Sequence, residues 1–83
     1  MSTKKELKFE LINVIGIVSN STKGWKKELT RVSWNGEEPK YDIRTWDEEH
    51  DKMGKGVTLS VEELRNLKKL IDDEIRFLDD NND

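Results

Sequence analysis

PKYDIRTWDEEHDKMGKGVTLS, residues 39–60, carries the chain from a strand through a charged loop to the start of a helix. Pro39 lacks a ladder donor, so it belongs at a strand start or a sheet edge. Residues 40–47 then alternate, with Tyr41, Ile43 and Thr45 on one side and Asp42, Arg44 and Trp46 on the other. Residues 48–54 predict a loop and residues 56–59 a brief fourth strand. Ser60 and Glu63 have the spacing of a capping box, and Leu59 and Leu64 stand where a hydrophobic staple forms, so a helix begins there. It continues to about residue 79, because Leu64, Leu67, Ile71, Ile75 and Leu78 keep to one helical face. Leu70 and Phe77 lie roughly 80–100° to one side of that stripe. Two arrangements fit so wide an apolar arc. In one, the main stripe covers a sheet and the Leu70/Phe77 flank meets a partner helix; in the other, the whole arc is one broad core face.

Upstream, residues 7–19 (LKFELINVIGIVS) predict a strand with apolar residues on both parities, hence a central strand or one with a bulge near Gly16. Residues 20–24 (NSTKG) predict a turn, and residues 25–35 (WKKELTRVSWN) a second strand. Its two parities are Trp25, Lys27, Leu29, Arg31, Ser33 and Lys26, Glu28, Thr30, Val32, Trp34, and periodicity alone leaves open which side is dry. Asn35-Gly36 is a hairpin signal leading to the third strand. The fold class is therefore α+β, four strands followed by one amphipathic helix, in a single domain spanning residues 1–83 with flexible ends at 1–6 and 80–83.

With 83 residues, of which 33% are hydrophobic, one copy buries a thin core, and the absence of cysteine removes disulfides as a remedy. Oligomerisation is the expected source of further stability. The lack of cysteine fits a reducing compartment. No apolar run reaches the length of a signal sequence or membrane span, so a soluble cytoplasmic protein is expected, nucleoid-associated if bacterial. The net charge of −3 argues against a polyanionic ligand until its distribution is considered. Residues 60–83 carry −4 and residues 1–59 carry +1, while residues 23–34 carry +3. A ligand meets the local field, so nucleic acid is not excluded.

Three tryptophans fall on predicted strands or strand ends close to lysine and arginine. Flat aromatic faces hold bases and cations follow phosphates, which is what a single-stranded nucleic acid surface requires. The candidate binding residues are Trp25, Lys26, Lys27, Arg31, Trp34, Arg44, Trp46 and Lys55. Trp46 shares its side with Asp42 and Arg44, a polar side, and is expected to face ligand. Tyr41 and Ile43 are expected in the core. Each tryptophan has an alternative as core filler or dimer contact, Arg44 as a structural partner of Asp42 or of an acidic neighbour, and Lys55, between Gly54 and Gly56, as a solvated turn lysine. Asp47, Glu48, Glu49, His50 and Asp51 match no metal-binding pattern and predict a solvated, flexible loop. His50 is the sole histidine and no nucleophile motif accompanies it, so neither an enzyme nor a cofactor or metal is expected.

The order of four strands and a helix, with Asp42-Ile43-Arg44 in the third strand and Lys55-Gly56-Val57-Thr58-Leu59-Ser60 before the helix, resembles the single-stranded-DNA-binding domain of the positive cofactor 4 (p15) family. The similarity is strongest to its short bacterial members and covers roughly residues 9–78. It implies a curved antiparallel sheet, dimerisation through the helix, for which the Leu70/Phe77 flank read from helical spacing supplies the expected interface residues, and largely sequence-independent binding of single-stranded DNA; the expected role is in transcription or in protecting opened DNA. It also implies transcription machinery as a partner, while the lack of a long apolar run is the reason no membrane partner is expected. By position, Arg44 matches the family's third-strand arginine, Trp46 the aromatic after it, and Lys55 the lysine of the Lys-Gly. The hairpin tip departs from the pattern, being acidic at Glu37-Glu38. Lys26, Lys27 and Arg31 with Trp25 or Trp34 are the compensating groups. The rival readings are an RNA-binding module using the same surface and a protein-interaction adaptor.

Overall fold

A computed structural model describes residues 8–81. The chain forms β1 (Phe9–Asn20), a single 3-10 turn (Thr22–Gly24), β2 (Lys26–Trp34), β3 (Lys40–Trp46), β4 (Met53–Leu59) and α1 (Val61–Asp80). The strands pair antiparallel in the order β1-β2-β3-β4, an open sheet with β1 and β4 at its edges. The α+β, four-strand-then-helix expectation therefore holds. The expected flexibility of residues 1–6 and 82–83 lies outside the described residues. Asp80 and Asn81, expected in a loose tail, are instead the last helical residue and its C-cap, with the Asn81 amide donating to the Phe77 carbonyl at 3.1 Å.

Turn chemistry joins the strands. Lys23 and Gly24 have φ of 61° and 82°, and Asn35 and Gly36 have φ of 52° and 79°. Two successive positive φ values at Asn35 and Gly36, closed by Glu37 N–H donating to the Trp34 carbonyl at 2.9 Å, are the type I′ geometry that suits twisted strands. The β3–β4 connection differs from the expected free loop. Asp47 Oδ1 accepts from the backbone N–H groups of Asp51 (2.8 Å) and Lys52 (3.0 Å), and Asp47 N–H donates to the Lys52 carbonyl at 3.1 Å. One carboxylate thus braces the turn, and β4 starts at Met53 rather than at residue 56.

β1 is an edge strand, not a central one. Its twelve residues stand against the nine of β2, with register shifts between Leu11 and Asn13, Val14 and Gly16, and Ile17 and Ser19. Each bulge leaves one residue unpaired and adds twist, which accounts for apolar residues on both parities and discourages edge-to-edge association.

Directly paired residues share a side of the sheet. Thr30 pairs with Asp42, Val32 with Lys40, Glu28 with Arg44 and Lys26 with Trp46, so these residues stand on one side. That side contains the fully buried set: Trp46, Val32, Thr30 and Asp42. Phe9, Trp34 and His50 close over it, with Phe9 5.4 Å from Trp46, 6.0 Å from Trp34, and His50 5.6 Å from Trp46 between ring centroids. The opposite side carries Leu29, Tyr41 and Ile43, half-buried beneath the first turns of α1.

The helix begins where the capping box places it: Glu63 N–H donates to Ser60 Oγ (3.1 Å) and Ser60 N–H to Glu63 Oε1 (2.9 Å). Leu64 and Leu67 are half-buried against the sheet, but Ile71, Ile75 and Leu78 remain 45%, 48% and 53% exposed. The expected main stripe covers the sheet only through its first two turns. A helix of 20 residues is about 30 Å long, and the 62 × 32 × 22 Å extents show how far the molecule is drawn out.

Candidate nucleic-acid interface

β3 builds the polar centre of the Trp46 side. Asp42 and Arg44 are two residues apart, so their side chains rise from the same face. Arg44 Nε donates to Asp42 Oδ1 at 2.5 Å and Nη2 to Asp42 Oδ2 at 3.0 Å, a bidentate pair. Thr58, opposite Asp42 on β4, donates its hydroxyl to Oδ2 at 2.7 Å. The Asp42 side chain has no exposure and that of Arg44 retains 15%. Arg44 Nη1 is directed at the Gly54 carbonyl (3.4 Å) and Met53 Sδ (3.6 Å). The guanidinium lies over the Trp34 ring, Cζ 5.0 Å from its centroid. This is a cation–π contact on a half-buried indole.

The glycines flanking Lys55 have a structural cause. They lie inside β4, not in a turn. A Cβ on Gly54 would collide with the Thr45 hydroxyl, and one on Gly56 with Arg44 Cβ and the Ile43 carbonyl. The Gly-Lys-Gly therefore lets β4 lie close beside β3, and Lys55 is displayed, exposed, from the edge strand.

A second polar pair stands near Trp46. His50 Nε2 lies 2.8 Å from Oε1 of Glu28, whose side chain is only 5% exposed. His50 reaches this position from a positive φ of 59° in the braced β3–β4 turn. The expected solvated loop thus delivers its imidazole to the sheet. Sequence spacing carries no signal for this pair, since Glu28 and His50 are 22 residues apart and meet only through the β2–β3–β4 register.

The fold divides the candidate binding residues. Lys26, Trp34, Arg44 and Trp46 share one side, whereas Lys27 and Arg31, paired with Thr45 and Tyr41, project from the other. Trp25 lines a shallow hollow of about 350 Å³ with Ser21, Thr22, Lys23 and Thr45 at the sheet's end. The expectation for Trp46 as a ligand-facing platform is corrected: it has no exposure, because Phe9 and His50 pack on it. Parity groups it with Asp42 and Arg44 correctly, but that side holds the core. Trp34, at the same side's margin, is the indole left partly open. Lys40, exposed and paired with Val32, is a further cation on this side that is absent from the sequence-derived candidates. Its parity with Asp42 and Arg44 is the signal that could have found it. Buried polar atoms without a partner include Thr30 Oγ1, Trp34 Nε1 and Trp46 Nε1.

Among the described residues no cluster of histidine, cysteine, aspartate and glutamate fit to hold a metal occurs, and no helix is long and apolar enough to cross a membrane. The model of the family described as Transcriptional Coactivator p15 (PC4) matches residues 21–70, which take in β2, β3, β4 and the first half of α1. An uncharacterized protein of Treponema pallidum (strain Nichols) is 46% identical over 63 residues, covering 76% of this chain and 74% of the relative.

Proposed function

This chain belongs to the transcriptional coactivator p15 (PC4) family, and from that premise we propose that it binds single-stranded DNA as a homodimer, without catalysis, in a transcription-related role. The observation that carries the reading is the Trp34–Arg44 cation–π contact at the margin of one sheet face, with Lys26 and Lys40 on the same side. A base stacking on the open part of Trp34 gains about 1–3 kcal/mol with little regard to its identity. Lys26 and Lys40 neutralise phosphates, which makes the affinity depend on salt. Lys55 at the β4 edge, together with Lys27, Arg31 and Trp25 at the opposite side and end, extends the basic surface a strand passes. The acid of α1 lies apart from this face and does not cancel its local field.

The homodimer is supported by what one copy leaves uncovered. Leu70, Phe77 and Leu78 are 64%, 58% and 53% exposed. A hollow of about 690 Å³ between the first half of α1 and the sheet is walled by Val18, Leu29, Tyr41, Ile43 and Ile71. A second copy, bringing the same apolar stripe, fills such a surface symmetrically. Leu70 and Phe77 are the helix residues assigned to that contact.

Labelled oligo-dT and oligo-U of equal length, titrated with the protein, test the ligand class. Tighter binding of DNA supports the reading, equal or tighter binding of RNA replaces it with an RNA module, and no binding of either at low salt replaces it with a protein adaptor.

A further inference from the structure

We propose that Asp42 and Arg44 are positioning residues that fix the Trp34 ring as a stacking platform, and that Arg44 does not serve as a phosphate ligand. This rests on the reading that the Trp34 side takes single-stranded DNA. Every nitrogen of the guanidinium is engaged within the protein: Nε and Nη2 with Asp42, Nη1 with the Gly54 carbonyl and Met53 Sδ. The charge is opposed at bidentate distance by a carboxylate with no exposure, itself held by the Thr58 hydroxyl. A phosphate could reach only the one Nη2 N–H that these bonds leave over, on a side chain 15% exposed whose charge Asp42 already opposes, which is a poor site when exposed Lys40 stands on the same side.

What Arg44 does offer is its cation, whose Cζ stands over the Trp34 ring at 5.0 Å from the centroid. Trp34 is the last residue of β2, followed at once by the positive-φ turn at Asn35 and Gly36. The half-buried indole is held by the groups packed around it, and a platform that must be ordered upon binding loses affinity to that ordering. Phe9 steadies it from one direction, at 6.0 Å and 50°. Arg44 supports it from the ring face, and Asp42 with Thr58 holds the guanidinium in place. Gly56 belongs to the same socket, since a Cβ there would strike the Arg44 stem.

Arg44→Lys keeps the charge and removes the planar fork. Binding of oligo-dT is measured at several salt concentrations for wild type, Arg44→Lys, Trp34→Ala and the double variant, with Lys40→Ala as the phosphate control. The expected result is a loss of about tenfold for Arg44→Lys with an unchanged salt slope, and a double variant no weaker than Trp34→Ala, because both act through one ring. Lys40→Ala instead lowers the slope by about 0.7. Wild-type affinity in Arg44→Lys, a slope lowered by about 0.7 in that variant, or additive losses in the double variant would overturn the proposal. In parallel, the indole N–H cross-peak of Trp34 reports ring mobility in the free protein by heteronuclear NOE. A lower NOE in Arg44→Lys is expected, and an unchanged one counts against the buttress. If wild type fails to bind oligo-dT, the DNA reading falls by itself while the NOE still decides the positioning role. Should Arg44→Lys not fold, Thr58→Val removes one hydrogen bond to Asp42 while keeping a β-branched strand residue; the same changes in smaller size are expected, and their absence is contrary.

Discussion

Trp46 and Arg44 rise from one side of β3, and neither is free in the way their residue types suggest. Trp46 fills the centre of the buried face beneath Phe9 and His50, and Arg44 is bound to Asp42. Trp46→Ala would empty the largest buried side chain and is expected to destabilise the protein by about 3–5 kcal/mol, read by urea or thermal unfolding. A loss below about 1 kcal/mol would contradict the burial. Binding measured on this variant reports folding first and contact second. The alternation of residues 40–47 makes the grouping of Asp42, Arg44 and Trp46 legible in the sequence. Which side is dry is not legible, because a period of two assigns residues to sides without saying what closes over them. The closing groups here are Phe9, which pairs with Trp34 across the β1–β2 register, and His50, which comes from a turn. Both are tertiary facts.

At the scale of elements, α1 is the most legible part: Ser60, Glu63 and the apolar spacing after them place its start where the capping box is found. β4 is the least. Gly54 suggests the end of a loop and so delays the strand to residue 56, since glycine punctuates turns as often as it permits close approach inside a strand. The deciding contacts, Thr45 against Gly54 and Arg44 against Gly56, come from the neighbouring strand. Gly56→Ala is therefore expected to cost about 1–3 kcal/mol through overpacking, and to shift the amide resonances of Ile43 and Arg44. A neutral Gly56→Ala would show that β3 and β4 are not so tightly apposed. Gly16, by contrast, has open space where a Cβ would stand and lies outside the positive-φ region, so nothing in the backbone there requires glycine.

For the whole molecule, the buried side of the sheet and the side facing the helix carry different tasks. The first holds the core and, at its margin, the half-buried Trp34 indole; the second, with α1, displays an apolar surface that a lone chain leaves open. The wide arc of Leu70 and Phe77 is visible from helical spacing. The extent to which Ile71, Ile75 and Leu78 remain uncovered is not, since it depends on the helix leaving the sheet after two turns. Replacing Leu70 and Phe77 together with glutamate is expected to turn a dimer into a monomer in sedimentation at micromolar concentration, with helix content retained because both side chains are exposed. A wild-type chain that sediments as a monomer would remove the dimer. The central claim, that this sheet margin binds single-stranded DNA by stacking and by phosphate contact, is tested most directly by titrating tryptophan emission with oligo-dT at two salt concentrations. A saturable quench is predicted, its midpoint moving to higher DNA concentration as salt rises, with a slope of about −0.7 in log K per phosphate neutralised. Emission that stays unchanged at low salt, or a quench indifferent to salt, would contradict it.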